Sequence, residues 1–132
     1  MTDTTGYVYF AIKTEEDNFN IERFNNYLTI QPTRFQEKFE KGNVPVCTIW
    51  EYGTDKLVNP FYFEEIRRLT DMLEKHKPEF LRLKKEYPSV TYVLEVVICL
   101  GDETPGLHFS KHTIKFINDV GGTIDCDIYN SK

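Results

Sequence analysis

Residues 92–98, Tyr92-Val93-Leu94-Glu95-Val96-Val97-Ile98, are the strongest strand-forming stretch of the sequence. β-Branched and aromatic side chains favour the pleated surface of a β-sheet, and a run that is apolar on both faces is typical of a central strand. A similar run lies at residues 7–12. Each run is followed by acidic residues, a short amphipathic segment and a second strand-like segment. The sequence therefore predicts a strand–helix–strand unit that occurs twice.

The two units match in their order of elements but differ in detail. The first returns through residues 33–39, an aromatic segment of mixed charge, whereas the second returns through residues 123–129, which alternate between polar and apolar side chains. Such alternation is typical of a strand with one buried face. We expect any functional surface to lie where the two units differ.

Between the units, the sequence predicts a β-turn-β segment and a pair of helices. Asn59 and Pro60 are favourable cap and first-position residues for the first helix, and Pro78 breaks or kinks the helical run. A short strand is expected at residues 107–109, before Ser110 caps the last helix. The predicted class is α+β. It has a mixed, mainly antiparallel sheet with helices packed on one face, and its two βαβ-like halves, ferredoxin-like in spirit, are joined by the β–β and helical-hairpin insertion.

The composition predicts one folded domain with an acidic surface. A chain of 132 residues falls within the ordinary size of one domain, so we expect residues 1–132 to form a single α+β domain. The apolar share of 40% and the aromatic share of 14% exclude a disordered chain. The net charge of −5 disfavours binding to nucleic acids and to anionic membranes, and it favours a basic protein partner.

The sequence also has the features of a cytoplasmic protein. Residues 1–6 carry neither a positive charge nor an apolar segment, so no signal peptide is predicted, and no apolar run is long enough to cross a bilayer. Cys47, Cys99 and Cys126 lie in strand-like apolar runs, which indicates buried reduced thiols rather than disulfides or a zinc site. No established catalytic or cofactor motif occurs, so neither a cofactor nor a metal ion is expected.

The first third of the chain carries a family resemblance. An opening strand, a polar loop and a short helix are followed by Ile30-Gln31-Pro32-Thr33, by Lys41-Gly42 and by a strand that ends in Thr48-Ile49-Trp50. In this order they resemble the bacterial domain-of-unknown-function family 4279. The long central helices, the second hydrophobic strand and the closing strand at residues 124–129 extend the likeness over nearly the whole chain. The resemblance implies an α+β fold and no known activity, and it adds no catalytic residue.

The closing strand offers the best candidate surface. Alternation places its apolar, even-numbered residues toward the core, and it places Asp125, Asp127 and Tyr129 together on the opposite face. Glu95 is the only charged residue within 92–98, and on the open side of the sheet it could join the two aspartates. Paired carboxylates can bind a divalent cation or carry out acid–base chemistry. The alternative is a solvated sheet face, and no motif supplies the further oxygen ligands that a metal site needs.

Two acidic loops occupy equivalent positions in the two units. The first follows the opening strand and the second follows the central strand; their acidic residues are Glu15, Glu16 and Asp17, and Asp102 and Glu103. If the halves are related by pseudo-symmetry, the loops could lie at related ends of the sheet. An acidic rim of that kind would steer a basic protein toward the chain.

The strand aromatics raise a second question. Tyr7 and Tyr9 share one face of the first strand, and Trp50 and Tyr52 share one face of a middle strand. Exposed sheet aromatics stack bases in RNA-recognition modules. Neither signature of those modules is present and the net charge opposes RNA binding, so packing is the preferred interpretation and Trp50 is expected to anchor the fold.

Three functions agree with these observations. A non-enzymatic protein-binding module, immunity or antitoxin-like and masking a basic partner, agrees best with the small size, the acidity and the absence of catalytic motifs. A small-ligand-binding regulatory domain is the alternative, and an enzyme that uses the acidic sheet face comes third, so an enzyme is not the preferred interpretation. An exposed edge strand could also pair two copies, which keeps a homodimer among the expected states.

Overall fold

The structure is a computed structural model that describes residues 2–130. Its elements in chain order are β1 (Thr5–Thr14), α1 (Ile21–Asn25), β2 (Arg34–Gln36), β3 (Thr48–Gly53), β4 (Leu57–Val58), α2 (Tyr62–Glu74), α3 (Lys77–Glu86), β5 (Thr91–Leu100), α4 (Lys111–Val120) and β6 (Thr123–Asn130).

The described strands form one mixed sheet in the order β2-β3-β1-β5-β6, and the short β4 pairs with the start of β1. Every pairing is antiparallel except that of β5 with β6, which is parallel. The predicted α+β class and the mainly antiparallel sheet are confirmed. From β1 to β5 the order of strands and helices is that of a ferredoxin-like fold with two additions, the short β4 and a second helix, α3. The segment α4–β6 adds one parallel strand at the edge of the sheet.

Both predicted βαβ-like units are present, and they differ in how their strands meet. In the first unit β1 and β2 run in the same direction with β3 between them. In the second unit β5 and β6 are direct neighbours. Two parallel strands need a long crossover connection, which α1 and α4 supply. The second unit therefore brings consecutive strands side by side and the first does not.

The core lies on one side of the sheet, under the helices. All four described helices contribute to it, and they meet the even-numbered residues of β1, such as Phe10, and of β5, such as Leu94. Phe10 packs against the rings of Phe80, Tyr92 and Phe116 at centroid distances of 5.2, 5.5 and 5.9 Å. Aromatic contacts of this kind add to the free energy of apolar burial. The opposite side of the sheet carries no described helix.

Side chains cap two of the described helices at their start, and the cap at Ser110 was predicted. Asn20 accepts a hydrogen bond from the backbone N–H of Arg23 at 2.9 Å, and Ser110 accepts one from that of Thr113 at 3.1 Å. Gly121 ends α4 with a left-handed φ of 75°, which glycine adopts without steric cost. Each of these helix ends depends on contacts within one turn of the helix.

The predicted start of α2 is wrong by two residues. Asn59 does not cap the helix, because its side chain accepts a hydrogen bond from the N–H of Thr4 and donates one to Asp3, each at 3.0 Å. Phe61 is the residue before the helix and offers no side-chain cap. The break near Pro78 comes earlier than predicted, after Glu74, and the proline lies in the first turn of α3, where its missing N–H costs nothing.

Three smaller expectations also need correction. Residues 107–109 form no strand. Ile128 lies on the core side of β6 but is 57% exposed, since the edge strand extends past its cover, whereas Ile124 and Cys126 pack against the core. The three cysteines are free, as expected, but half-buried rather than buried. No helix among residues 2–130 is long and apolar enough to cross a membrane.

Candidate binding surface on the open sheet face

The register of the sheet brings the predicted acidic residues together. In the parallel pairing of β5 with β6, Glu95 lies opposite Asp125, and Val97 lies opposite Asp127. In the antiparallel pairing of β1 with β5, Tyr9 lies opposite Glu95. Side chains at paired positions point to the same face of a sheet, and the core takes the residues of the other parity. All of these side chains therefore lie on the face without a helix, which we call the open face.

Glu95, Asp125 and Asp127 form a carboxylate cluster on the open face. One oxygen of each lies within 4.8 Å of the other two. Glu95 is buried, Asp125 is exposed and Asp127 is half-buried. Lys13, at the far end of β1, reaches over to place its Nζ 3.3 Å from Oε1 of Glu95. The described structure thus sets one lysine against three carboxylates.

The cluster has the electrostatics of a site with excess negative charge. Burial raises the pKa of Glu95 above its ordinary value; Lys13 opposes this rise, and the neighbouring Asp125 adds to it. Burial, followed by the charges of Glu95, Glu51 and Asp127, raises the pKa of the Tyr9 hydroxyl to about 12. The ring of Tyr9 therefore stays a neutral hydrogen-bond donor beside the cluster at ordinary pH.

A shallow cavity of about 400 Å³ adjoins the cluster on the same face. Tyr7, Tyr9 and Val97 line it on the side of the cluster. Its charged lining residues are the basic Arg34 and Lys56 and the acidic Glu51 and Asp55. Arg34 and Glu51 lie 4.0 Å apart, and burial raises the pKa of Glu51. The open face is thus a continuous polar surface with two tyrosine rings between its charged groups.

The structure separates the two predicted acidic loops. Residues 15–17 follow the end of β1 and residues 102–103 follow the end of β5, and because β1 and β5 are antiparallel, the loops lie at opposite ends of the sheet. They do not form one rim. Asp17 pairs with Lys38 at 2.9 Å, and the carboxylate of Glu16 accepts a hydrogen bond from Ser89 at 2.8 Å.

The remaining predicted residues lie at the end of the sheet where β5 and β6 end. Tyr129 is 55% exposed and pairs in register with Cys99, at the end of the sheet where residues 102–103 follow. Asp102 accepts a hydrogen bond from the N–H of Thr2 at 2.8 Å, and Glu103 presents its backbone carbonyl to Thr4 at 2.7 Å. Lys13, Arg34 and Glu51 were not predicted from the sequence. Their parity on β1, β2 and β3 relative to Tyr9 was the available signal, but it becomes useful only once the strand order is known.

The cluster allows three kinds of chemistry in principle. Three carboxylates could hold a divalent cation, but Mg²⁺ and Ca²⁺ take six or more oxygen ligands, and the described residues offer these three. A carboxyl group with a raised pKa, such as that of Glu95, can also transfer a proton. Binding of a cationic side chain requires only negative charge, and the cluster meets this requirement better than the other two. Cys126 lies between the two aspartates in sequence but packs toward the core, and burial raises the pKa of its thiol, which disfavours a nucleophilic role.

The fold and this surface define a class of protein: an α+β domain with a ferredoxin-like order of elements and one open, acidic sheet face. The family model described as Domain of unknown function (DUF4279) matches residues 3–131. The chain belongs to this family, as the motifs that end at Trp50 and the order of its elements indicated. Comparison with curated proteins and with solved structures found no match.

Proposed function

We propose that this chain is a non-enzymatic binding module that holds a basic protein partner on the open face. The observation that carries the proposal is the carboxylate cluster, in which Glu95, Asp125 and Asp127 lie within 4.8 Å of one another on a face without a helix. Three like charges so close repel one another, and Lys13 offsets only part of them. A cation from a partner would relieve this repulsion.

The surroundings of the cluster suit a lysine or arginine side chain. The rings of Tyr7 and Tyr9 flank the cavity beside the cluster, and Tyr7 is 39% exposed. A long basic side chain can pack its methylene stem on such rings and gain a cation–π contact. Charge complementarity also raises the rate of encounter with a basic protein, which the net charge of −5 favours from a distance. An immunity or antitoxin-like role, in which the chain masks a basic surface, is the form of binding that this chemistry supports.

The test uses a defined basic probe and NMR. A decapeptide of alternating arginine and serine is titrated into isotope-labelled protein, with an alternating glutamate–serine peptide as the comparison. We expect shifts of amides on β1, β5 and β6 with the basic peptide alone. The affinity should fall steeply as salt rises, because exposed charges are screened beyond roughly 10 Å at 0.1 M salt.

A matched pair of double variants tests the position of the site. Asp125→Asn with Asp127→Asn should weaken binding about tenfold, consistent with the loss of two close charge pairs. The control removes two charges from the covered side, by Glu64→Gln with Asp71→Asn, both partners of Arg67 on α2. Equal losses in both double variants would mean that net charge alone attracts the peptide, and the proposal would then be wrong.

A further inference from the structure

The structure contains a larger cavity away from the open face, between the start of α2 and residues 103–108. Its volume is about 600 Å³, which lies within the range of roughly 300–1,000 Å³ typical of small-molecule sites. Thr4, residues 59–63 at the start of α2, and residues 103–108 line it. We propose that this cavity binds a small planar aromatic molecule that carries a positive charge.

Aromatic rings form the walls of the cavity. Phe63 and His108 are in ring contact, with centroids 5.2 Å apart and planes inclined at 48°. Phe61 also lines the cavity and is 83% exposed. Burial of an exposed phenylalanine is favourable, and rings stack or meet edge to face at 4.5–7 Å. A flat ring between Phe61 and the Phe63–His108 pair would therefore bury surface that the chain alone leaves in water.

Three of the polar side chains that line the cavity already make hydrogen bonds within the protein. Thr4 donates its hydroxyl proton to the carbonyl of Glu103 and accepts a hydrogen bond from the N–H of Gly101 at 2.9 Å. Asn59 bonds to Thr4 and Asp3, and the Tyr62 hydroxyl donates to the carbonyl of Val97 at 3.0 Å. These bonds hold the shape of the cavity, and they leave few neutral polar groups to select a ligand. Ring shape and charge must supply the selectivity.

The charge at the cavity selects a cation. Among the described residues that line it, Glu103 brings a carboxylate and no lysine or arginine is present. The Glu103 carboxylate makes no ion pair with another described residue. The positive end of α2 would favour an anion, but Glu64 and Glu65 in its first turn already offset it. A cationic group beside the aromatic ring would meet Glu103 at the mouth.

Tryptamine is the probe, because it joins a planar indole ring to an ammonium group; indole-3-acetate, with the same ring and the opposite charge, is its matched control. Both are titrated into isotope-labelled full-length protein and followed by amide shifts. We expect tryptamine to shift residues 59–63 and 103–108 and to bind more tightly than indole-3-acetate. Glu103→Gln should remove most of that preference and leave ring binding in place.

Two single variants separate the cavity from general surface effects. Phe61→Ser should weaken tryptamine about tenfold, as expected for the loss of an aromatic contact at a binding site. Phe39→Ser replaces another exposed phenylalanine, 51% exposed and outside the cavity, and should leave the affinity unchanged. Shifts centred on the carboxylate cluster, equal losses in the two variants, or no shift at about 10 mM tryptamine, a concentration that fills a millimolar site, would each overturn the proposal. The outcome is independent of peptide binding on the open face.

Discussion

The two faces of the sheet are built from the same strands but carry different kinds of side chain. On β1, Phe10 points into the helix-covered core and is fully buried, whereas the preceding Tyr9 lies on the open face beside three carboxylates. On β5, likewise, Leu94 points into the core and Glu95 lies on the open face. The covered face concentrates apolar burial, and the open face concentrates charge. A single residue step along each strand therefore separates the side chains that stabilise the core from the charged side chains of the open face.

Truncation of a buried side chain on the covered face should change the free energy of unfolding most. Phe10→Ala should destabilise the fold by about 3–5 kcal/mol, because it removes a fully buried ring and leaves a cavity. Tyr9→Ala, one residue away and half-buried, should cost less than about 2 kcal/mol. Urea unfolding of both variants measures the difference. Equal costs would show that the open face is as tightly packed as the core.

A smaller loss of stability should follow from removing a buried hydrogen bond on the covered side. The Thr70 hydroxyl lies 2.9 Å from that of Thr113 and bonds α2 to α4 in a buried position. Thr70→Val should therefore cost about 1–2 kcal/mol, the usual loss for a buried hydrogen bond. Thr33→Val removes the hydrogen bonds of an exposed hydroxyl near the open face and should cost less than about 0.5 kcal/mol. Thermal unfolding of the pair checks the contrast, and a larger loss for Thr33→Val would reverse it.

The smallest effect is pH-dependent and belongs to the open face. Burial raises the pKa of Glu95 in the folded state, so folding favours its neutral form. Stability from this group is fully present below the unfolded pKa of about 4.3 and is lost as pH rises through the raised folded pKa. Glu95→Gln mimics the neutral carboxyl. It should raise the free energy of unfolding at pH 7 by less than about 1 kcal/mol, and this gain should shrink near pH 4.

Urea unfolding at both pH values measures that change, and the exposed Glu86→Gln on α3 is the control. The control should shift the free energy of unfolding little at either pH, because an exposed carboxylate is solvated in both states. A clear loss of stability in Glu95→Gln at pH 7 would show that the ion pair with Lys13 outweighs the cost of burying the charge.

Much of the fold and part of the site were accessible from local pattern. The alternation of residues 123–129 predicted the face of Asp125 and Asp127, and the parity of Glu95 predicted that it could join them. The cap of α4 at Ser110 followed from a side chain that bonds within one turn. Asn59 has the same local signal, but distant bonds to Thr4 and Asp3 hold its side chain. Local patterns succeeded where no distant residue competed for the same atoms.

Most strand and helix types and the faces of the alternating strands follow from the sequence alone, because they depend on neighbours a few residues apart, and the net negative charge follows from composition. The tertiary structure decided which strands are adjacent. It placed β6 beside β5 and so completed the carboxylate cluster, and it set β1 against β5 and so sent the two acidic loops to opposite ends of the sheet. It also built the aromatic cavity from α2 and residues 103–108. Strand pairing is chosen by the burial of the whole core, and no short window of sequence contains that balance.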